Sequence, residues 1–316
     1  MHPTCVYLGE KLARYGFGEG HPFGPDRLSA FQRAFESQGL DKLCAIRPAV
    51  DGDPALLALF HDADYLQRLQ ALSASGEGWL DGGDTPAFPG IREAALSVAG
   101  TVCAAADALL QDECQRAFVP IAGLHHARRD SAAGFCAVND CGIVIEYLRA
   151  THGIRRIAYI DIDAHHGDGV FYSYEEDPDV VIVDFHEDGR FLYPGSGRVD
   201  ETGKGAAAGT KLNVPLPPEA GDALFEQLWD KAERFLDAHP ADFYLLQVGA
   251  DSIAGDPITH LALSPASHAL MTRRVARRFA DKPILALGGG GYNRDNLASA
   301  WTAVVASLLG NGQPAR

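Results

Sequence analysis

Short apolar runs alternate along the chain with longer segments in which apolar residues recur every three or four positions. The apolar runs predict six strands, which are "TCVYLG", "RAFVPIAG", "IRRIAYIDID", "DVVIVDFH", "DFYLLQVGAD" and "KPILALGGGGY". Several are almost continuously apolar, as strands buried on both faces of a parallel sheet tend to be. The longer segments predict helices at 91–112, 140–152, 219–238, 265–279 and 293–309. This alternation predicts an α/β fold with a parallel sheet.

The chain shows no internal repeat, no low-complexity tract and no long linker, so we predict a single domain over residues 1–316. Large α/β folds often run this long as one domain. The first residues lack a basic segment followed by an apolar one, and no run of about 18 uncharged apolar residues occurs. The sequence therefore predicts neither a signal peptide nor a membrane span.

The chain is acidic, with a formal net charge of −15 and a pI of about 5.1. A nucleic-acid partner is disfavoured, because such binders normally carry a basic face. Acidity fits a cationic substrate such as a lysine-bearing protein or a polyamine, although solubility alone also explains it. The six cysteines are scattered and form no CxxC pair, which is typical of reduced thiols in a cytoplasmic protein.

Polar residues follow the predicted strands at the point where each strand ends. "LHHA" follows the second strand, "DAHHGDGV" follows the third, and "DFH", "GAD" and "GGGGY" end the other three. In an open parallel sheet the ligand site lies beyond the carboxyl ends of the strands. Five strands therefore deliver polar side chains to one edge of the sheet, which predicts a functional site there.

The stretch "YIDIDAHHGDGV" (159–170) concentrates ionisable residues at one strand end. Side chains two positions apart on a strand share a face, so Asp161, Asp163 and His165 are expected to project together. Asp251 in "GADSIAGDP" offers a further carboxylate from another strand. Asp163, His165 and Asp251 would leave one position open on a zinc ion, and iron(II) accepts the same donors. The alternative is a hydrogen-bonded network of core residues without a metal.

Two adjacent histidines and a tyrosine are candidate proton-transfer groups. His125 and His126 suit general acid/base chemistry, and Asp161 and Asp168 are available to fix their tautomers. Tyr292 follows "GGGG", whose backbone permits close approach to a ligand, and its hydroxyl would donate to an oxyanion. The glycines match neither GxxxxGK[ST] nor GxGxxG, which argues against a phosphate loop.

Seven motifs carry a resemblance to a known superfamily. They are "GEGHPFGPDRL" (18–28), "FHDADYL" (60–66), "HHARRDSAAGFCAVND" (125–140), "YIDIDAHHGDGV" (159–170), "YPGSG" (193–197), "GADSIAGDP" (249–257) and "LGGGGYN" (287–293). Together they resemble the zinc-dependent histone deacetylase superfamily, and most closely the bacterial acetoin-utilisation deacetylases. The resemblance covers nearly the whole chain. It implies the arginase–deacetylase fold, a single α/β domain whose eight-stranded parallel sheet carries helices on both faces.

The resemblance also implies an activity. A metal-dependent amidohydrolase would remove acetyl, or longer acyl, groups from lysine side chains in proteins by attack of metal-bound water on the amide carbonyl. Asp163, His165 and Asp251 match the zinc ligands. The catalytic matches are His126 as general base, His125 as a protonated electrostatic partner, Asp161 and Asp168 as the carboxylates paired with His125 and His126, and Tyr292 as the group that polarises the carbonyl.

Further residues match the substrate tunnel and a structural potassium site. Phe135 and Tyr193 match the aromatic tunnel walls, with Tyr193 where phenylalanine is common, and Asp84 matches a rim aspartate that binds the substrate backbone. The residues expected at the tunnel are Asp84, Leu124, Gly134, Phe135, Tyr193, Ile258 and Gly290. Those expected around potassium are Asp161, Asp163, His165, Asp184 and Phe185.

Three positions depart from the pattern that the resemblance implies. Asp184 stands where a serine often helps to hold potassium, and a carboxylate there would strengthen or alter that site. Leu124 stands where tryptophan or proline usually forms the pocket floor, so we expect room for acyl groups longer than acetyl. Ile258 stands where polyamine-selective relatives can carry a glutamate, which favours acyl-lysine as the substrate. His166 receives no role.

Three other functions stay open. An acetylpolyamine amidohydrolase would use the same chemistry on a different substrate. A two-metal ureohydrolase such as arginase shares the fold but needs further aspartate ligands, and a degenerate acyl-lysine-binding protein would lack a ligand, a histidine or the tyrosine. The expected partners are acylated lysines in proteins or peptides, with acetylpolyamines less favoured and with neither nucleic acid nor membrane. The oligomeric state stays open.

Overall fold

Eight strands form one sheet in the computed structural model, which describes residues 4–18 and 20–310. The strands are β1 (Thr4–Leu8), β2 (Ala45–Pro48), β3 (Arg116–Val119), β4 (Ile157–Asp161), β5 (Val180–Glu187), β6 (Lys211–Leu216), β7 (Phe243–Gln247) and β8 (Ile284–Leu287). Their order is β2-β1-β3-β8-β7-β4-β5-β6, and every pair is parallel. The predicted α/β class and the eight-stranded parallel sheet are confirmed.

Helices flank this sheet. They are α1 (Glu10–Ala13), α2 (Asp26–Ser37), α3 (Ala63–Ser75), α4 (Ile91–Leu110), α5 (Asp140–His152), α6 (Asp168–Ser173), α7 (Asp222–Ala238), α8 (Pro265–Arg278) and α9 (Arg294–Leu308). Short 3-10 turns lie at Leu40–Lys42, Pro54–Leu59 and Gly205–Ala207. The five predicted helices are confirmed as α4, α5, α7, α8 and α9, whereas α2 and α3 were not among the predictions.

The six predicted strands are the inner strands of the sheet, and the two strands that the apolar pattern missed lie at its edges. β2 has only four residues, which alternate between half-buried and exposed. β6 contains Lys211, Asn213 and Pro215. Proline and charged side chains are typical of edge strands, which lack a neighbour on one side, and they interrupt the apolar run that marks a buried strand.

α4 lies in the core of the fold. Within the described residues it is the one helix with the length and apolar composition to cross a bilayer, and 78% of its most apolar window is buried inside the protein. It packs against α5, β3 and β8. Small residues such as Ala95, Ala99 and Ala106 are fully buried in these contacts. Its hydrophobicity is therefore accounted for by packing within the domain.

α9 packs against the loops that follow β7 and β8. Trp301 on this helix is fully buried, and its Nε1 donates to the carbonyl oxygens of Gly288 at 2.9 Å and Val248 at 3.2 Å. A side chain at Gly288 would lie 1.9 Å from the carbonyl oxygen of Pro120, so only glycine fits there. These contacts fix the loops after β3, β7 and β8 against one another, and the polar clusters after the inner strands meet at this edge as predicted.

Candidate active site

Three ligand atoms from two loops converge beyond the ends of β4 and β7. His165 Nδ1 lies 3.0 Å from Asp163 Oδ1 and 3.1 Å from Asp251 Oδ2. All three residues are buried, and among the described residues they form the only group of three or more potential ligands within 4.8 Å of one another. The structure thus brings together the three predicted metal ligands.

The remaining oxygens of the two carboxylates are held by hydrogen bonds. Asp163 Oδ2 accepts from Gln247 Nε2 at 2.9 Å and from the Gly290 amide at 2.8 Å. Asp251 Oδ1 accepts from the Ala164 amide at 2.9 Å. Each carboxylate therefore turns its other oxygen towards His165, and outer contacts of this kind orient metal ligands.

The donor set fits a divalent cation. Tetrahedral ligands at about 2.0–2.2 Å from zinc lie roughly 3.3 Å apart, close to the observed separations. Two buried carboxylates whose oxygens meet at one point repel each other, and a bound cation offsets that repulsion. Side chains at Gly249 and Gly290 would lie 2.1 Å from Asp163 Oδ2 and 2.2 Å from Asp251 Oδ2, so glycines leave these carboxylates their space. A nitrogen and two oxygens suit zinc and iron(II) alike.

A pair of histidines lies beside the metal ligands, and each ring binds a different aspartate. His125 Nδ1 is 2.7 Å from Asp161 Oδ2, and His126 Nδ1 is 2.7 Å from Asp168 Oδ1. Tyr159 also donates to Asp161 at 2.5 Å. These are the two pairings that the resemblance implied, and each directs the Nδ1 proton of an imidazole towards its carboxylate partner.

The two imidazoles differ in charge although both are buried. Burial disfavours the charged form of His125, but Asp161 and Asp163 outweigh it and raise the pKa to about 10. Burial and the charge on His125 lower the pKa of His126 to about 4, against the effect of Asp168. Near neutral pH, His125 is therefore a cation and His126 a neutral base.

Tyr292 faces the same centre from the loop after β8. Burial, together with Asp251 and Asp163, raises the pKa of its hydroxyl well above the ordinary value. The phenol therefore stays protonated and is available as a hydrogen-bond donor. The Phe135 ring stands edge-on to the Tyr292 ring, with 5.8 Å between centroids.

A narrow cavity opens onto these groups. Its lining comprises Phe23, Gly123, Leu124, His125, His126, Gly134, Cys136, Asp163, His165, Gly289, Gly290 and Tyr292. The predicted tunnel residues Leu124, Gly134 and Gly290 are among them. A side chain at Gly134 would lie 2.5 Å from the His126 ring, so a glycine is needed for the loop to approach the histidine.

The other predicted tunnel residues lie outside this lining. The Tyr193 ring is 5.2 Å from the His126 ring and 6.4 Å from the His165 ring, and Tyr193 is 45% exposed. Asp84 is exposed on a hairpin whose Thr85 Oγ1 accepts from the Phe135 amide at 3.0 Å. Asp84 and Phe135 are thereby placed next to each other at the mouth. Ile258 is half-buried and does not line the cavity.

Comparison with known proteins agrees with the family resemblance that the sequence motifs carry. The histone deacetylase domain matches residues 21–308. This chain belongs to the histone deacetylase family. It is 34% identical over 312 residues to the acetoin utilization protein AcuC of Bacillus subtilis, a match that covers 93% of this chain and 78% of AcuC.

Two eukaryotic members of the histone deacetylase family are about as similar. Histone deacetylase B of Dictyostelium discoideum is 33% identical over 95% of this chain and 72% of its own length. Histone deacetylase 9 of Arabidopsis thaliana is 33% identical over 98% of this chain and 74% of its own length. The family and these relatives support an amide-hydrolysing deacetylase activity, and the recognised resemblance is confirmed.

Two of the residues that were predicted around potassium, Asp161 and Asp184, lie side by side in this histone deacetylase-family chain. Asp161 and Asp184 are partners across β4 and β5. Asp184 Oδ1 is 2.7 Å from His186 Nδ1, and Asp184 Oδ2 accepts from the Gly167 amide at 2.9 Å. Burial disfavours charge on His186, yet Asp184 raises its pKa. The carboxylate at this position thus favours protonation of its neighbour His186, and potassium binding stays a prediction.

His166, which received no role from the sequence, connects the loop that contains Ser196 to the segment after β4. Its Nδ1 is 2.9 Å from Ser196 Oγ, and its ring packs 4.8 Å from the ring of His186. His186 Nε2 is in turn 2.9 Å from the carbonyl oxygen of Gly197. Both histidines thus hold the segment that follows Tyr193.

Several buried polar residues of the site escaped the sequence analysis. Arg27 is fully buried and donates to the carbonyl oxygens of Gly289 at 2.6 Å and Gly291 at 2.9 Å. Asp140 accepts from the amides of Gly123 and Leu124, which precede the histidine pair. The available signal was a lone polar residue at the end of an otherwise apolar strand, as with Gln247 in "FYLLQ".

Proposed function

We propose that this chain is a metal-dependent deacylase that removes acetyl and somewhat longer acyl groups from the side-chain amine of lysine in proteins. The observation that carries the proposal is the convergence of three elements on one narrow cavity. These are the buried Asp163–His165–Asp251 group, the His125–His126 pair and Tyr292. The alternatives fit less well, since the described residues contain one three-ligand group rather than two, and no catalytic group is missing.

Asp163, His165 and Asp251 would hold zinc or iron(II). When bound, such an ion supplies Lewis-acid chemistry, which lowers the pKa of water and polarises a carbonyl oxygen. The potassium site and a cytoplasmic location stay predictions.

His125, His126 and Tyr292 supply proton transfer and charge stabilisation, each in a different role. His126, neutral and oriented by Asp168, accepts the proton of the attacking water at Nε2. His125, held as a cation by Asp161, stabilises the negative charge that develops beside it. Tyr292 donates its hydroxyl proton in a hydrogen bond to the oxygen of the former carbonyl. The proton taken up by His126 is then available to the departing amine.

The tunnel favours an acylated alkyl amine. Phe135 and Tyr193 place aromatic rings on the approach to the cavity, and each methylene of a lysine stem gains about 0.8 kcal/mol on burial. Ile258 puts an apolar residue where a charged one would select a polyamine. The pair Asp81 and Asp84 at the mouth supports a second candidate, an acetylpolyamine amidohydrolase, because an acidic pair attracts a free ammonium group.

A substrate panel separates the two candidates. The protein is stripped of metal, reloaded with zinc or with iron(II), and assayed on acetyl-lysine peptides, longer acyl-lysine peptides and acetylputrescine. We expect kcat/KM at least about tenfold higher for the acetyl-lysine peptide than for acetylputrescine, and no turnover without metal. The reverse preference would establish the polyamine enzyme, and undiminished turnover by the stripped protein would exclude metal dependence.

A further inference from the structure

Tyr292 ends a loop of four consecutive glycines, 288–291, which has no side chains of its own to hold it in place. Gly289 and Gly291 have φ values of +72° and +122°, in a region that other residues seldom adopt. The conformation of this loop is therefore set by hydrogen bonds to its surroundings. The Gly288 amide donates to the carbonyl oxygen of Val119 at the end of β3, and the Gly289 amide donates to that of Ala122, which fixes the beginning of the loop.

At the other end of the loop, one carboxylate accepts hydrogen bonds from the backbone amides. Asp256 Oδ2 accepts from the backbone amide of Tyr292 at 2.8 Å and from that of Asn293 at 3.4 Å. Asp256 Oδ1 accepts from the amide of Ile258 at 3.1 Å. Asp256 is only 7% exposed, and the Tyr292 amide has no other acceptor among the described residues.

Asp256 lies in the segment that also supplies a metal ligand. Asp251 precedes it by five residues, and the amide of Ala250 donates to the carbonyl oxygen of Gly290 at 3.0 Å. The carboxylate of Asp256 thus joins the loop that carries the ligand to the loop that carries the tyrosine. Asp256 is not among the residues that line the cavity.

We propose that Asp256 is a positioning residue for Tyr292, which sets the distance between the tyrosine hydroxyl and the reacting carbonyl. The role rests on the proposed function, because it requires Tyr292 to act as a donor in catalysis. Neither the sequence pattern nor the family match assigns Asp256 a function.

The physical reason is the narrow tolerance of an oxyanion donor. Such a donor works at about 2.7–3.1 Å from the developing oxyanion, and a displacement of about 1 Å can cost about a hundredfold in rate. The tyrosine ring moves with its backbone. Arg27 and Arg294 hold only the carbonyl oxygens of Gly291 and Tyr292, so the amide of Tyr292 depends on Asp256. Without the Asp256 carboxylate, the Tyr292 amide loses its acceptor and the hydroxyl loses its fixed position.

A double-mutant cycle tests this role. The variants Asp256→Ala, Tyr292→Phe and the combination of both are compared with the wild type in the zinc-loaded state, on one acetyl-lysine peptide. We expect Asp256→Ala to lower kcat about tenfold or more, with KM changed less than about threefold and zinc content unchanged. In the Tyr292→Phe background the same substitution should lower kcat less than about twofold, because the residue acts through the tyrosine.

Two further variants separate positioning from folding. Asp256→Asn keeps one oxygen acceptor for the Tyr292 amide and should retain more of kcat than Asp256→Ala. Asp222→Ala is the matched control, since Asp222 also accepts from a backbone amide, that of Ser264 at 2.8 Å, but lies at the start of α7 and contacts Ser264 and Ser267 instead of the 288–293 segment. It should leave kcat within about twofold of the wild type.

The outcomes are distinct. An equal loss from Asp256→Ala with and without the Tyr292 hydroxyl would overturn the positioning role, and so would a loss of zinc that accounts for the lost activity. If Asp256→Ala does not fold, the cycle is run with Asp256→Asn, whose smaller loss of kcat should again disappear in the Tyr292→Phe background. A wild-type protein that hydrolyses none of the acyl-amine substrates would refute the proposed function itself, whereas activity without coupling would refute only this inference.

Discussion

His125 and His126 are sequence neighbours whose Nε2 atoms lie 3.1 Å apart, while their Nδ1 atoms bind different aspartates. Two imidazolium ions at this distance would repel strongly inside the protein. The structure avoids this because Asp161 and Asp163 raise the pKa of His125 against the effect of burial, whereas burial and the His125 charge lower that of His126. One ring is therefore a cation and the other a base.

Replacing either histidine by alanine should separate these roles. We expect His126→Ala to lower kcat by about 10²–10⁴-fold, the usual contribution of a general base, while the metal content stays that of the wild type. His125→Ala should also lower kcat, and it should raise the pKa of His126 because the neighbouring charge is gone. Steady-state kinetics over a range of pH, with metal analysis of each variant, measures both effects.

His152→Ala is the matched control for this pair. His152 makes the same kind of contact, with Nε2 at 2.7 Å from Asp107 Oδ1, on the outside of the fold. Its loss should leave kcat unchanged. Full activity in His126→Ala would show that another group takes the proton.

Removal of the metal should lower stability as well as activity. Without the cation, Asp163 and Asp251 face each other in a buried site, and the bound state is favoured by RT ln(1 + [metal]/Kd), about 4 kcal/mol at a thousandfold excess over Kd. We expect a chelator to lower the melting temperature and added zinc to restore it. Differential scanning calorimetry of the apo and reloaded protein checks this.

The variant Asp251→Ala should lose the zinc-dependent rise in melting temperature, because it lacks one of the three metal ligands. Asp222→Ala should keep it, since Asp222 lies at the start of α7. Equal zinc-dependent stabilisation of the wild type and Asp251→Ala would mean that the cation binds elsewhere.

The inner strands and the metal ligands could be predicted because each leaves a local signal. A strand buried on both faces is apolar throughout, and Asp163 and His165 share a face at the end of such a strand. β2 and β6 could not be found in this way, since an edge strand is half-solvated and its sequence resembles a loop. Their pairing depends on β1 and β5, which are distant in sequence.

The residues that orient the catalytic groups could not be predicted from the sequence for a related reason. Arg27 and Asp256 act on backbone groups of the 288–293 segment, and nothing near them in the chain marks such a contact. Arg27 is fully buried although arginine is normally a surface residue, which only the tertiary structure reveals. The catalytic groups are thus predictable from motifs, whereas the groups that orient them are not.

The KM for the peptide substrate should depend on pH, because Asp84 at the mouth of the cavity titrates in the assay range. Partial desolvation and a shared hydrogen bond with Asp81 raise the pKa of Asp84 to about 6. A raised pKa means that Asp84 carries a proton below about pH 6 and accepts substrate N–H groups as a carboxylate only above it. We expect KM for an acetyl-lysine peptide to rise as the pH falls from 7 to 5, with little change in kcat.

Asp84→Asn should abolish this pH dependence, with a raised KM that stays flat between pH 5 and 7. Asp62→Asn is a suitable control, because Asp62 is also exposed but precedes α3 away from the mouth. An unaltered rise of KM in Asp84→Asn would assign the pH effect to another group.

Leu124 should set the length of the acyl group. It is 2% exposed and lines the cavity next to Gly123 and Cys136, at the position where the superfamily pattern has tryptophan or proline. We expect the wild type to hydrolyse butyryl-lysine with kcat/KM within about tenfold of acetyl-lysine.

The variant Leu124→Trp fills the space and should lower butyryl-lysine turnover about tenfold or more, while acetyl-lysine turnover falls less. The reason is that each methylene excluded from the pocket loses about 0.8 kcal/mol of binding free energy, which is about fourfold in rate. Leu124→Met conserves volume and should keep the wild-type ratio. Strict acetyl preference in the wild type, or an equal loss on both substrates in Leu124→Trp, would show that another residue closes the pocket.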